Sequence, residues 1–264
     1  MSHQAPLQAA SDVLWRHWRE GRLIAALPPD LAPADRRTAY AVQALLEPRS
    51  ASALYGWKIA ATSLAGQQHI GVDGPLAGRL LAEQVLAPDA PVPLAHNQMR
   101  VAEAEVAFRM GRDLPPRAEP YTVDEVMAAV ADAHPAIEFP DSRLEAFERA
   151  GEAALIADNA CAHLFVLGPK APEGWRAIDL PAMPTAITAE GREPHRGRGG
   201  NALDDPRLAL TWLANALSDQ GLTLRAGQVV TTGTTTVPLP VAPGDVVRAD
   251  LGGIGTLTVR IRPE

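Results

Sequence analysis

The chain of 264 residues has a single cysteine, Cys161. No intrachain disulfide can form and no zinc site can be built from cysteines, so burial must hold the fold together, and a reducing cytoplasm suits it. Basic residues are outnumbered, 24 Lys and Arg against 31 Asp and Glu, for a formal net charge of −7. With neither a basic tract nor a basic helix face, general affinity for nucleic acid or anionic lipid is not expected. No apolar run is long enough to span a bilayer. The opening MSHQAPLQAASDVLWRHWREGRLI is an interrupted, charged amphipathic stretch without a signal-peptide core, so a cytoplasmic location is expected. The catalytic signatures Gly-x-Ser-x-Gly and His-Glu-x-x-His, a Walker loop and a dinucleotide fingerprint are all missing. GRGGNA and TGTTT are too short to mean phosphate binding, and the seven histidines are scattered, with no pair at metal-ligand spacing.

What is present is an ordinary globular composition, 47% apolar and 21% charged, in a chain long enough to bury a substantial core. Leu7, Ala10, Leu14, Trp15 and Trp18 share one helical face, and Ala39, Val42, Leu45 and Leu46 repeat the spacing after Pro33. Residues 1–50 therefore read as a helical N-terminal segment. From residue 51 to 264 short apolar runs such as YGWKIA, VAEAEVAF, AHLFVLG, GQVVTTG, GDVVRAD and GTLTVRI alternate with Gly and Pro, the pattern of a β-rich body. Two helices interrupt it. Thr122 and Glu125 form a capping box before VMAAVADA, and Asp205-Pro206 opens a helix whose Ala209, Trp212, Leu213, Ala216 and Leu217 line one face before Gly221 stops it. Between Pro169 and Pro206 the chain reads as loops around a hairpin.

Strand alternation in VAEAEVAFRM puts Ala102, Ala104, Val106, Phe108 and Met110 on one face and Glu103 with Glu105 on the other, the two carboxylates roughly 7 Å apart. Paired anions repel unless solvent, protonation or a cation relieves them, and an oxygen-rich site suits magnesium, manganese or calcium better than zinc. A solvated strand face is the competing reading. Glu138, in HPAIEFPDSR, falls at a strand end before Pro140, and its neighbours Asp141 and Arg143 can pair with each other. Asp158 and Asn159, in LIADNACAH, read as a turn or a site. Lys58 lies inside an apolar β run, either as an edge-strand gatekeeper or as a partly buried functional cation.

Taken together, GWKIAATS (56–63), GVDGPLAG (71–78), EAEVAF, AIEFPDSR, IADNA and the closing GQVVTTGTTTVPLPVAPGDVVRADLGGIGTLTV resemble the 2-oxopent-4-enoate hydratases and 4-oxalocrotonate decarboxylases of the fumarylacetoacetate hydrolase superfamily. The likeness runs through nearly the whole chain in order and spacing. It implies an α+β fold, a mixed, mostly antiparallel β-roll with flanking helices. It also implies that Glu103, Glu105 and Glu138 hold Mg2+ or Mn2+, with Lys58 beside the metal, in contact with the substrate carboxylate or enol oxygen. Lys58 and Asp158 are then the candidate acid/base groups.

The activity implied is addition of water to a 2-hydroxypenta-2,4-dienoate, giving a 4-hydroxy-2-oxo acid, in aromatic catabolism. Two departures keep alternatives open. Leu76 follows Pro75 where the hydratases often carry aspartate, an apolar choice closer to the decarboxylases, and Cys161 stands where a serine often follows the Asp-Asn-Ala block. The alternatives are decarboxylation of 2-oxohex-3-enedioate and a catalytically silent partner subunit. A small 2-oxo acid substrate and a homo-oligomer are the expected partners, with a homologous decarboxylase or hydratase as an alternative companion. His195, Arg196 and Arg198 could meet a distal carboxylate, although exposed loop cations are common.

Overall fold

The computed structural model describes residues 4–263. The chain opens with α1 (Gln4–Glu20) and α2 (Arg36–Ala44), the latter capped by Asp35, whose side chain accepts from the Thr38 amide. Next come β1 (Gly56–Ala60), α3 (Leu64–Ile70), β2 (Leu76–Leu80), β3 (Val85–Leu86) and the ten-residue β4 (Val101–Met110). Helix α4 (Val123–Ala129) runs directly into β5 (Val130–Phe139) and is followed by α5 (Glu152–Ala157) and β6 (Leu164–Leu167). The hairpin β7 (Pro184–Ala189) and β8 (His195–Arg198), then α6 (Pro206–Asp219), β9 (Val229–Thr234), β10 (Leu239–Pro240), β11 (Val246–Asp250) and β12 (Thr256–Arg260) complete the fold.

The main sheet has eight strands in the order β2-β1-β9-β4-β5-β6-β3, with β10 pairing to β4; the second has four, in the order β12-β11-β7-β8. Among the named strands of the described residues, only β1 with β9 and β3 with β6 pair in parallel, so the body is the mixed, mostly antiparallel roll that the family likeness implies. One large apolar core fills the space between the sheets and helices, and it takes Ala10 and Leu14 of α1 and Ala39, Tyr40 and Val42 of α2 together with Phe108, Ile137, Leu213 and Val259. Burial of each larger aliphatic or aromatic side chain of this kind contributes about 1.5–3 kcal/mol.

Two local expectations are refined, and two short helices are added. The helix opened by the Thr122 capping box stops at Ala129, because Val130 turns extended and pairs with Met110 across a register shift, so VADA belongs to β5. Helix α6 buries Leu210 and Ala214 besides Ala209, Leu213 and Leu217, whereas Trp212 and Ala216 are only half-buried. The short helices α3 and α5 carry no apolar repeat long enough to read. Ser63, which caps α3, and the left-handed Gly71 that ends it were the available signals.

Candidate metal centre

The site follows from the register of two long strands. In the antiparallel β4–β5 pair Glu103 lies directly opposite Glu138, and the pleat puts Glu105 on the same face one step along. Carboxylate oxygens of Glu103, Glu105 and Glu138 all come within 4.8 Å of one another. Beneath them, on the same face, a small apolar cluster of Ala107, Ala136, Phe165, Leu80, Ala162 and Val229 closes off water. Glu138 is 0% exposed and Glu105 1%, while Glu103 is half-buried. The solvated-face reading of the Glu-x-Glu pair therefore does not describe this strand.

Lys58 reaches the same place from β1, an interior strand between β2 and β9, so the gatekeeper reading also fails. It is 3% exposed. Its Nζ stands 3.2 Å from Glu138 Oε1 and donates to the Ala160 carbonyl at 3.0 Å. Glu105 Oε2 accepts from the Gly233 amide at 2.8 Å and from the Thr231 hydroxyl. Gly233 has φ +99, and a Cβ there would meet Thr62 Oγ1 at 2.1 Å, so this donor position excludes side chains. Among the described residues Glu138 Oε2 has no hydrogen-bond partner at all.

Burial pushes the Glu138 carboxyl up to about 7, with Lys58 pulling it back and Glu103 adding to the rise. Glu105 is raised well above its ordinary value by burial and then by Glu138 and Glu103. Burial also raises Glu103, against the pull of Lys58. Burial lowers Lys58, but the charges of Glu138 and Glu103 outweigh it and hold the ammonium above the usual lysine range. Two unit charges about 4 Å apart in a partly shielded site interact by roughly 4 kcal/mol, so three carboxylates against one ammonium leave strong repulsion. A divalent cation would relieve it. The donor set is all oxygen, the carboxylates converge, and one buried oxygen is without a partner, so these residues fit such an ion.

Asp158 does not join this group. Its carboxylate, 1% exposed, accepts from Trp18 Nε1 at 2.9 Å, Ser142 Oγ at 2.6 Å and the Arg143 amide at 2.8 Å. It is held between α1 and the segment leaving β5, where Arg143 forms the expected ion pair with Asp141. The next three residues, Asn159, Ala160 and Cys161, all have left-handed φ, at 60, 50 and 60. For residues such as Ala and Cys that conformation costs about 1–2 kcal/mol each. The turn nestles against Gly78, where a Cβ would meet the Asn159 carbonyl at 2.5 Å. Leu76, fully buried, shares the face of Gly78, the residue opposite Lys58. Burial pushes the Cys161 thiol up to about 12, although Lys58 pulls it down. His195 Nδ1 donates to the Val237 carbonyl at 3.0 Å, while Arg196 and Arg198 are exposed.

Sequence reasoning missed Thr231 and Gly233, because GQVVTTG reads only as a β run and TGTTT is too short to carry a signature of its own. It also missed the Ala160 carbonyl, whose one signal is the polar Asp-Asn pair between apolar residues.

The fumarylacetoacetate (FAA) hydrolase C-terminal family matches residues 73–262. A 2-keto-4-pentenoate hydratase of Burkholderia vietnamiensis is 36% identical over 241 residues, 90% of each chain. A 2-hydroxyhexa-2,4-dienoate hydratase of Comamonas testosteroni is 28% identical over 265 residues, 98% of this chain and 99% of that one. Among solved structures, the 4-oxalocrotonate decarboxylase from Pseudomonas putida G7 complexed with magnesium and adipate superposes with a TM-score of 0.88 at 25% identity, covering 99% of this chain and 98% of that one.

Proposed function

We propose, from the premise that the chain belongs to the fumarylacetoacetate hydrolase family, that it is a divalent-metal-dependent hydratase. It adds water to a 2-hydroxypenta-2,4-dienoate, the enol of 2-oxopent-4-enoate, to give a 4-hydroxy-2-oxo acid. The observation that carries the reading is the convergence of three carboxylates, two of them fully buried, beside a buried lysine. Relatives at 32–36% identity are named for this reaction.

Glu103, Glu105 and Glu138 would hold the ion. Magnesium or manganese bound there supplies a Lewis acid for the carboxylate and 2-oxygen of a 2-oxo acid. The Thr231 hydroxyl and Gly233 amide fix the Glu105 carboxylate by hydrogen bonds to Oε2. Lys58 carries three N–H donors; one goes to Ala160 and one faces Glu138, which leaves the third for the substrate carboxylate or enol oxygen. In the overall reaction the dienol ketonises with its enol proton delivered in effect to C5, giving the 3-enoate, and the elements of water then add as hydroxide at C4 and a proton at C3, so one water is consumed and nothing leaves. The Ala107, Ala136 and Phe165 cluster under the site keeps bulk water from the charged groups.

A second reading rests on Leu76. Its buried apolar side chain on the face of Lys58 offers no proton to a water, which suits loss of carbon dioxide from 2-oxohex-3-enedioate. The test is to mix magnesium-loaded protein with each substrate, following dienol absorbance and carbon dioxide together, with Glu103→Ala as control. Absorbance loss on the dienoate without gas supports the hydratase; gas from the enedioate supports the decarboxylase. Silence with both counts against both and favours a silent partner subunit.

A further inference from the structure

We infer that the N-terminal helix is part of the catalytic apparatus at one remove: Trp18, acting through Asp158, is a positioning residue that fixes the left-handed turn 159–161 and thereby the ammonium of Lys58. The inference rests on the role given to Lys58 above. It starts from strain. Three consecutive non-glycine residues with φ near +50 to +60 persist only where the surroundings over-determine them. Here every residue of the turn is tied. Asp158, which leads into it, is anchored to the indole N–H of α1 at 2.9 Å and to Ser142 and Arg143 beyond β5. The Asn159 side chain bridges the backbone of Arg79, accepting from its N–H at 2.7 Å and donating to its carbonyl at 2.9 Å. The Cys161 carbonyl accepts from the Asp141 amide at 3.0 Å. The carbonyl at the middle of the turn, Ala160, is the one that accepts from Lys58.

Both Asp158 oxygens are committed to these donors, so Asp158 acts through the backbone it holds rather than by exchanging a proton with substrate. Trp18 is the distant end of the path, 140 positions away in sequence. Its ring is fixed separately, under the Arg143 guanidinium at 4.4 Å and against the His163 ring at 5.0 Å. Trp18→Phe therefore removes the indole N–H while keeping an aromatic ring in place.

The experiment uses the full-length, manganese-loaded chain as wild type, Trp18→Phe, Asp158→Asn, Lys58→Ala and Trp18→Phe with Lys58→Ala. It reads kcat and KM, manganese affinity, and hydrogen exchange in peptides covering residues 158–163 and 101–110. Trp18→Phe is expected to lower kcat about tenfold, with KM and manganese affinity nearly unchanged, and to add nothing to the loss in Lys58→Ala, because coupled residues are not additive. Exchange in 158–163 should rise about tenfold and that in 101–110 stay as in wild type. Wild-type kcat in Trp18→Phe, a loss that multiplies that of Lys58→Ala, or unchanged exchange in 158–163 would each overturn the inference. A wild type with no turnover on either substrate defeats the functional reading instead, and the exchange comparison then decides the positioning claim by itself.

Discussion

The two flanks of the site are built in opposite ways. The carboxylate flank stands on β4 and β5, two ten-residue strands whose ladder alone sets Glu103 against Glu138 and aligns Glu105 beside them. The lysine flank stands on the five-residue β1 and leans on a strained turn, held by bonds that span 80 and 140 positions of sequence. The family match over residues 73–262 contains the three glutamates and the turn, but neither Lys58 nor Trp18. A regular ladder places charge cheaply and rigidly, whereas aiming one ammonium requires long-range contacts. Removing groups from each flank tests whether they separate into ion binding and orientation.

The largest effect belongs to the carboxylate flank. Glu138→Ala should abolish tight manganese binding in calorimetric titration and lower kcat on the order of 10³-fold, since the ion supplies much of the stabilisation of developing charge. Binding retained within a few fold of wild type would show that Glu138 serves Lys58 and not a metal.

On the other flank, Lys58→Met should leave manganese affinity within a few fold of wild type while kcat falls by about 10²-fold. Lys58→Arg should not rescue it, because a planar guanidinium cannot occupy the slot between Glu138 and the Ala160 carbonyl. Rescue by arginine would mean that charge alone matters and that the turn's aim is irrelevant, which would erase the contrast between the flanks.

This contrast also explains what could be read from sequence. Alternation in VAEAEVAFRM fixes which side of β4 carries carboxylate, and the strand-ending Pro140 fixes Glu138 near the end of β5. Neither tells how the strands pair; the resemblance to a family supplied that convergence. Asp158 was legible as a polar residue among apolar ones, but not its partners, because the Trp18 N–H reaches it through tertiary packing that no local spacing encodes. The strain at Ala160 was equally hidden, since Asn159 alone hints at left-handed backbone and neither Ala nor Cys announces it.

A smaller effect follows from protons. Glu138 titrates near its ordinary 4.5 in the unfolded chain and is pushed up to about 7 in the folded, metal-free one. Between those values the folded state binds more protons than the unfolded state, so stability falls as pH rises through that window. The Tm of chelated protein should drop by several degrees from about pH 5 to about pH 8, and saturating magnesium should remove the slope by supplying the missing charge. A flat profile without metal would mean that the carboxylates are already relieved by solvent, and the carboxylate flank would lose its distinction from an ordinary strand face.

The smallest effect sharpens the lysine flank. Cys161 lies in the turn itself, and its thiol, pushed up to about 12 mainly by burial, is neutral at any working pH. The turn uses the backbone of Cys161, whose carbonyl accepts from Asp141, while the partly buried side chain packs against the apolar core without a hydrogen bond being needed of it. Cys161→Ser keeps that backbone and restores a hydroxyl, so kcat should change by no more than about threefold and Tm by a few degrees, as for a near-isosteric exchange at a half-buried position. A large gain in dienoate turnover would instead make the side chain a substrate contact. A large loss would show that the packing of sulfur, and not the hydrogen bonds to Asp158 and Asn159, holds the turn against Lys58.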